Sequence, residues 1–119
     1  MTHVLLAEDD PAIAEPLARA LTREGYDVVV QGTGKGAIES ASGADIVVLD
    51  LGLPDSGDPV KLVDDISSEC PGMQIAIVTG GVHDPKLREL LRQRVVALLP
   101  KPVTKGQLEA ILDGNPQIN

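Results

Sequence analysis

The sequence has almost no aromatic residues and only one cysteine. Tyr26 is the single aromatic side chain among 119 residues, and tryptophan and phenylalanine are absent. Sites that bind bases or sugars by stacking are built on aromatic rings, so the composition argues against this class of site. Cys70 alone cannot form an internal disulfide, which fits a reducing, cytoplasmic setting. The core must therefore be built from Leu, Val, Ile and Ala.

Basic residues and long apolar runs are also scarce. The chain has 10 Lys and Arg against 18 Asp and Glu, for a formal net charge of -8. Nucleic acids and anionic membranes are both bound mainly by basic faces, so we expect this domain to bind neither by itself. No apolar run is long enough to cross a bilayer, and the first residues lack the pattern of an export signal. These observations predict a cytoplasmic protein.

Five short apolar runs recur along the chain, and a helix-compatible stretch follows each of them. The runs occupy residues 4–7, 28–30, 46–49, 75–78 and 95–99. They are continuous rather than alternating, which is typical of strands buried on both faces of a parallel sheet. The alternation of strand and helix predicts a doubly wound α/β fold. We predict one domain over residues 1–119, with residues 113–119 as a frayed tail or the start of a linker.

The first predicted helix shows how these stretches begin and which side faces the core. Asp10 is predicted to be its N-cap, and Pro11 stands where a proline is tolerated in the first turn. Ile13, Leu17 and Leu21 recur at helical spacing and are predicted to face the sheet.

Polar residues follow four of the five apolar runs. Glu8 and Asp9 follow the first run, Asp50 the third, Thr79 the fourth and Lys101 the fifth. In an open parallel sheet, functional residues gather at the carboxyl ends of the strands. These side chains are therefore expected to share one crevice.

The chemistry of this set points to phosphoryl transfer. Carboxylates that lie close together repel one another and need a counter-ion, and Mg²⁺ suits a site with oxygen ligands that keeps several waters. Asp50 ends an apolar strand, where it is placed to act as a carboxylate nucleophile. A lysine and a hydroxyl would then share the oxygens of an arriving phosphoryl group.

In this order and at these strand ends, the motifs match a known family. The chain resembles the receiver domains of two-component response regulators, the CheY-like superfamily, across nearly all its length. The resemblance rests on Glu8-Asp9, on Asp50 within Val-Leu-Asp-Leu-Gly-Leu-Pro-Asp, on Thr79-Gly80 and on Lys101-Pro102. It implies a flavodoxin-like (βα)5 fold, with helices on both faces of a five-stranded parallel sheet in the order 2-1-3-4-5.

The resemblance also implies roles for these residues. Asp50 would be the phosphoacceptor, Thr79 would bond a phosphoryl oxygen, and Lys101 would pair with the phosphate. The implied Mg²⁺ ligands are Glu8 (directly or through water), Asp9, Asp50 and the backbone carbonyl of Gly52. Pro102 is expected to follow a cis peptide bond. The implied phosphoryl donor is a sensor histidine kinase or a histidine phosphotransfer protein, and the implied target of the switch is an output domain or protein partner.

Three segments depart from the family pattern. Leu98 stands where receivers usually carry an aromatic residue that changes its packing on phosphorylation. The usual aspartate-glycine step is replaced by Ser56-Gly57-Asp58-Pro59, and residues 92–95 lack the small residues common before the last strand. These departures bear on how a phosphorylation signal leaves the domain, whereas the residues of the chemistry are all present.

The main alternative function is a receiver-like interaction module that works without phosphorylation. A phosphatase or mutase with an aspartyl-phosphate intermediate is less well supported, because such enzymes need a second acid where this chain has Gly52. We therefore expect no enzymatic turnover beyond slow, Mg²⁺-dependent loss of the phosphoryl group. Dimerisation through the output face is left open. His83, four residues after Thr79, could reach toward the crevice, but it is interpreted as a solvated loop histidine.

Overall fold

Strands and helices alternate along the chain in the computed structural model, which describes residues 1–113 and the short strand at 117–118. The strands of the central sheet are β1 (His3–Ala7), β2 (Asp27–Gln31), β3 (Ile46–Asp50), β4 (Gln74–Thr79) and β5 (Ala97–Pro100). The helices are α1 (Pro11–Arg23), α2 (Gly34–Ser40), α3 (Pro59–Glu69), α4 (Pro85–Arg92) and α5 (Lys105–Leu112), and a 3-10 turn, Ala41–Gly43, follows α2.

The strands form one parallel sheet. Their order is β2-β1-β3-β4-β5-β6, where β6 is the two-residue strand Gln117–Ile118 beside β5. The predicted order 2-1-3-4-5 is confirmed, and β6 adds a short strand at its edge. The predicted frayed tail or linker falls largely outside the described residues, since 114–116 and 119 are not among them.

Side chains of the strands pack on both faces of the sheet, as expected for a doubly wound fold. One face packs against α2, α3 and α4 and buries Leu5, Val47, Leu49, Ile75, Ile77 and Leu98 with Val63, Ile66 and Leu91. The other face packs against α1 and α5 and buries Val4, Leu6, Ile46, Val48 and Val78 with Ala14, Leu21, Leu108 and Ile111. Burial of these aliphatic side chains is the main source of stability, at about 25 cal/mol for each Å² of apolar surface removed from water.

Two expectations about the strands were wrong in detail. β2 is not buried on both faces: it lies at an edge of the sheet, and Val29 and Val30 are 48% and 42% exposed. The fifth strand begins at Ala97 rather than at Val95, because the chain is still turning out of α4, with the Arg94 N–H bonded to the Leu91 carbonyl.

The start of α1 is largely as predicted. The Asp10 carboxylate accepts the Ala12 N–H, and Pro11 is the first helical residue. Leu21 is buried and Leu17 packs against the core, but Ile13 is 39% exposed, contrary to its predicted position. Ile13 lies in the first turn of α1, beside a cavity that separates this turn from the segment after β5. Within the described residues, no helix has both the length and the apolar character to span a membrane.

Candidate functional site

The site lies at the carboxyl edge of the sheet, where β1, β3, β4 and β5 all end. Ala7 of β1 is in register with Leu49 of β3, so the next residues, Glu8 and Asp50, come side by side. Thr79 of β4 pairs with Pro100 of β5, which places Lys101 directly after that pair. The parallel pairing of adjacent strands thus brings the predicted residues to one edge.

Three carboxylates meet at this edge. Glu8, Asp9 and Asp50 each offer one carboxylate oxygen, and these oxygens lie within 4.8 Å of one another. Glu8 and Asp50 are buried, at 6% and 3% exposure, whereas Asp9 is exposed. Among residues 1–113 this is the one cluster of acidic, histidine or cysteine side chains with such spacing. A set of oxygen ligands of this kind fits a hard divalent cation such as Mg²⁺.

Lys101 supplies the positive charge of the site. Its Nζ lies 3.0 Å from Asp50 Oδ2 and 3.8 Å from Glu8 Oε2. Its backbone N–H donates to the Thr79 carbonyl at 2.9 Å, which ties the residue to the end of β4. The Lys101–Pro102 peptide bond is cis, so this expectation is confirmed.

Gly52 contacts Asp50 through its backbone. The Gly52 N–H donates to Asp50 Oδ1 at 2.8 Å. A Cβ at this position would lie 3.2 Å from the same oxygen, so the absence of a side chain allows this close approach. The two Asp50 oxygens therefore have different partners: Oδ1 accepts from Gly52 and Oδ2 from Lys101. The role of the Gly52 carbonyl as a metal ligand stays a prediction.

Thr79 faces the same space from the end of β4. It is largely buried, and its hydroxyl oxygen accepts the Gly81 N–H at 3.2 Å. With Asp50, Gly52 and Lys101 it lines a cavity of about 500 Å³ between the ends of β3 and β4 and the start of α4. A second cavity, of about 310 Å³, reaches Asp50 and Lys101 from the side of α1. Asp50 is therefore bordered by two cavities although its side chain is buried.

The pKa values of the two buried carboxyl groups, Asp50 and Glu8, shift in opposite directions. Burial alone would raise the pKa of Asp50, but the Gly52 N–H and the Lys101 ammonium outweigh it and hold that pKa below its ordinary value. At Glu8, burial and the neighbouring Asp50 raise the pKa. Burial alone would lower the pKa of Lys101, but Asp50 and Glu8 raise it. Asp50 is thus ionised at neutral pH, as a nucleophile must be.

The raised pKa of Glu8 predicts how stability depends on pH without a metal. A group whose folded pKa exceeds its unfolded pKa contributes stability below the unfolded value and loses it as pH rises through the folded value. Metal-free protein should therefore lose stability as pH rises from the ordinary glutamate pKa to the raised pKa of Glu8. Glu8→Gln removes the titrating group, so the variant should show a flatter curve and unfold no more easily than the wild type at neutral pH.

Urea titrations in EDTA from mildly acidic to neutral pH measure this effect. Glu15→Gln is the matched control, because Glu15 is an exposed glutamate on α1. If the Glu8→Gln and wild-type proteins have parallel pH profiles, the buried Glu8 carboxyl does not cause the dependence.

Two features of this site could not be assigned from the sequence. His83 lines the 500 Å³ cavity together with Asp50, although its side chain is exposed as expected for a loop histidine. Its place depends on the backbone of Gly81, whose φ is +149°. The second feature is the close approach of Lys101 to Glu8, which the register of β1, β3 and β5 produces. For the position of His83, the only signal in the sequence is the glycine pair Gly80-Gly81 after Thr79.

Comparison with known proteins gives a consistent result. A model of the response regulator receiver domain matches residues 4–113. The transcriptional regulatory protein GlrR of Escherichia coli K12 is 34% identical over 113 residues, which cover 93% of this chain and 25% of GlrR. The transcriptional regulatory protein CitT of Bacillus subtilis is 30% identical over 94% of this chain and 51% of CitT. The chain thus spans about a quarter to a half of the length of these relatives.

Solved structures resemble this one closely. A response regulator from Burkholderia pseudomallei, solved with a phosphorylated aspartic acid, a calcium ion and citrate, has a TM-score of 0.83 and 25% identity over 98% of this chain and 69% of its own. A CheY-like receiver domain from Methylobacillus flagellatus has a TM-score of 0.82 and 27% identity over 97% of this chain and 98% of its own.

Proposed function

The chain belongs to the response regulator receiver domain family, and we propose that it accepts a phosphoryl group on Asp50 from a sensor histidine kinase or a histidine phosphotransfer protein. The observation that carries the proposal is the environment of Asp50. Its carboxylate is buried at the end of β3, is kept ionised, and lies 3.0 Å from the only lysine that reaches the site among residues 1–113. The phosphorylated aspartate of the Burkholderia pseudomallei neighbour supports the same chemistry.

Each residue has a defined part in the transfer. An Asp50 oxygen attacks the phosphorus of a phosphohistidine, a P–O bond forms, and the P–N bond to the histidine breaks with its electron pair on nitrogen. Lys101, now beside Asp50, is placed to pair with a phosphoryl oxygen after transfer. Thr79 lines the same cavity, and its hydroxyl can donate to another phosphoryl oxygen.

A divalent cation fits the acidic cluster. We propose that Glu8, Asp9 and Asp50 hold Mg²⁺, with the Gly52 carbonyl as a further ligand. Their oxygens lie close enough to share one ion, and two of the three carboxylates are buried. When bound, Mg²⁺ would offset the negative charge that builds up between the carboxylates and the phosphoryl group.

The consequence of phosphorylation is proposed to be a switch in a partner or an output domain, since the relatives GlrR and CitT are named as transcriptional regulators. Leu98 lies in β5, is 1% exposed and belongs to the core on the face of the sheet that α2, α3 and α4 cover. It has no polar tip to expose or bury, so we propose that movement of the loop after β4 and of α4 carries the signal. We propose no catalytic turnover beyond slow hydrolysis of the phosphoaspartate, and a cytoplasmic location.

Incubation with acetyl phosphate and Mg²⁺ tests the proposal. Intact-protein mass spectrometry should show one added phosphoryl group, and peptide mapping after reduction with borohydride should place it on Asp50. The addition should disappear in EDTA. Absence of any addition with Mg²⁺ present, in protein shown to be folded by circular dichroism, would contradict the proposal.

The buried Leu98 also favours a second candidate, a receiver-like interaction module that works without phosphorylation. This candidate predicts partner affinity that does not change with BeF₃⁻ and Mg²⁺, which mimic the phosphorylated state. A clear change in affinity would exclude it.

A further inference from the structure

His83 follows Thr79 by four residues and shares a cavity with the proposed phosphorylation site. It lines the 500 Å³ cavity that Asp50, Thr79 and Lys101 also line. Gly52 lines the same cavity, where its N–H donates to Asp50 Oδ1, and it has no side chain to fill this space. The cavity therefore leaves room for water next to a phosphoryl group on Asp50, with an imidazole at its wall.

The position of the imidazole depends on Gly81. A Cβ at Gly81 would lie 2.9 Å from His83 Nε2 and 3.1 Å from Cε1, so the ring occupies the place that a side chain at position 81 would take. Gly81 also has a φ of +149°, which side-chain-bearing residues rarely adopt. Its N–H donates to the Thr79 hydroxyl at 3.2 Å. The ring thus lies over the same turn that holds Thr79.

The other ionisable groups that line this cavity already have partners. The Asp84 carboxylate caps α4 by accepting the N–H groups of Lys86 and Leu87, at 2.9 and 3.4 Å. Lys101 and Asp50 bond to each other. No hydrogen bond or ion pair within residues 1–113 involves the His83 ring. A neutral imidazole has one nitrogen free to accept a proton, so His83 is the available base at this wall.

We propose that His83 catalyses the hydrolysis of phospho-Asp50 and so limits the lifetime of the signal; the inference rests on the phosphorylation of Asp50 proposed above. The oxygen of a water in the cavity forms a bond to phosphorus, and the bond between phosphorus and the Asp50 oxygen breaks with its electron pair on the carboxylate. His83 accepts the proton of the attacking water and later releases it to solvent. Inorganic phosphate leaves, and Asp50 is restored.

Single-turnover dephosphorylation of the full chain tests this role. Protein phosphorylated with acetyl phosphate is separated from the donor, and the loss of the phosphoryl group is followed by intact-protein mass spectrometry in Mg²⁺. His83→Ala is expected to slow the loss by about 10²-fold, the low end of the usual contribution of general base catalysis. Added imidazole should restore a large part of the rate in this variant and should leave the wild-type rate nearly unchanged.

The control variant is His3→Ala, which replaces the other histidine of the chain at the first residue of β1, where it pairs with Asp27 away from the site. It should lose phosphate at the wild-type rate. An unchanged or faster rate in His83→Ala would overturn the inference, and so would a slower rate that imidazole does not restore, because that result indicates a structural effect. Phosphate uptake by the wild type is measured first. If the wild type takes up no phosphate, that result contradicts the proposed function itself, not the role of His83.

Discussion

Asp50→Asn is expected to abolish phosphoryl incorporation while the protein stays folded. Asparagine has the size of aspartate, and its carbonyl oxygen can still accept the Gly52 N–H that Asp50 Oδ1 accepts at 2.8 Å. Its amide is neutral and a very poor nucleophile, so no bond to phosphorus forms. The change also removes one buried negative charge from the cluster with Glu8 and Asp9, which limits the cost of losing the Lys101 pair.

The measurement is the added phosphoryl mass after incubation with acetyl phosphate and Mg²⁺, together with the thermal unfolding midpoint. Asp45→Asn is the matched control, since Asp45 precedes the same strand at its opposite end and accepts the His3 N–H at 2.7 Å. The control should incorporate phosphate as the wild type does. Incorporation in Asp50→Asn at the wild-type level would place the acceptor on another residue.

The sequence was sufficient to predict the α/β architecture because the pattern of this fold is local. Continuous aliphatic runs and the helical stretches after them each depend on neighbouring residues, and their alternation leaves few topologies. The exposure of Val29 and Val30 could not be predicted in this way, because it depends on which strand lies at the edge. The two residues of β6 are too short to give a pattern at all.

The gathering of these polar residues at one edge of the sheet was predicted for a similar reason, and their detailed geometry was not. Glu8, Asp50, Thr79 and Lys101 stand directly after strands, so the sheet alone brings them to one edge. Lys101 Nζ lies 3.0 Å from Asp50 and 3.8 Å from Glu8, and the sequence alone does not give these distances. The position of His83 likewise depends on the backbone of the loop after β4.

The site combines three carboxylates with one lysine, and this balance makes Lys101 important for both stability and chemistry. Without a bound cation, Lys101 is the only positive charge near the buried pair of Glu8 and Asp50 within the described residues 1–113. The lowered pKa of Asp50 means that this interaction stabilises the fold above the ordinary carboxyl pKa and is lost as pH falls through the folded value. Because the pKa of Lys101 is raised in the folded protein, the interaction keeps stabilising the fold at alkaline pH and is lost only as pH rises through the folded pKa of Lys101.

Lys101→Met is therefore expected to destabilise the metal-free protein at neutral pH by about 1–3 kcal/mol, since a partly buried charge-assisted bond is lost and two carboxylates are left facing each other. The difference from wild type should shrink in acid, where Asp50 is protonated in both proteins. It should also shrink in Mg²⁺, because an ion at the proposed metal site would supply the missing positive charge. Phosphorylation by acetyl phosphate should slow by about 10²-fold, the usual cost of removing one donor to a developing oxyanion.

Urea unfolding in EDTA and in Mg²⁺, at neutral and acidic pH, measures the stability part of this prediction, and initial rates of phosphoryl incorporation measure the other. Lys61→Met is the matched control, because within residues 1–113 Lys61 pairs only with Asp65, on the exposed surface of α3. Exposed pairs of this kind contribute little to stability, so the control should unfold nearly as the wild type does. Equal stability of Lys101→Met and wild type in EDTA at neutral pH would contradict the prediction. It would show that the buried Glu8–Asp50 pair is stable without the lysine, with Glu8 protonated.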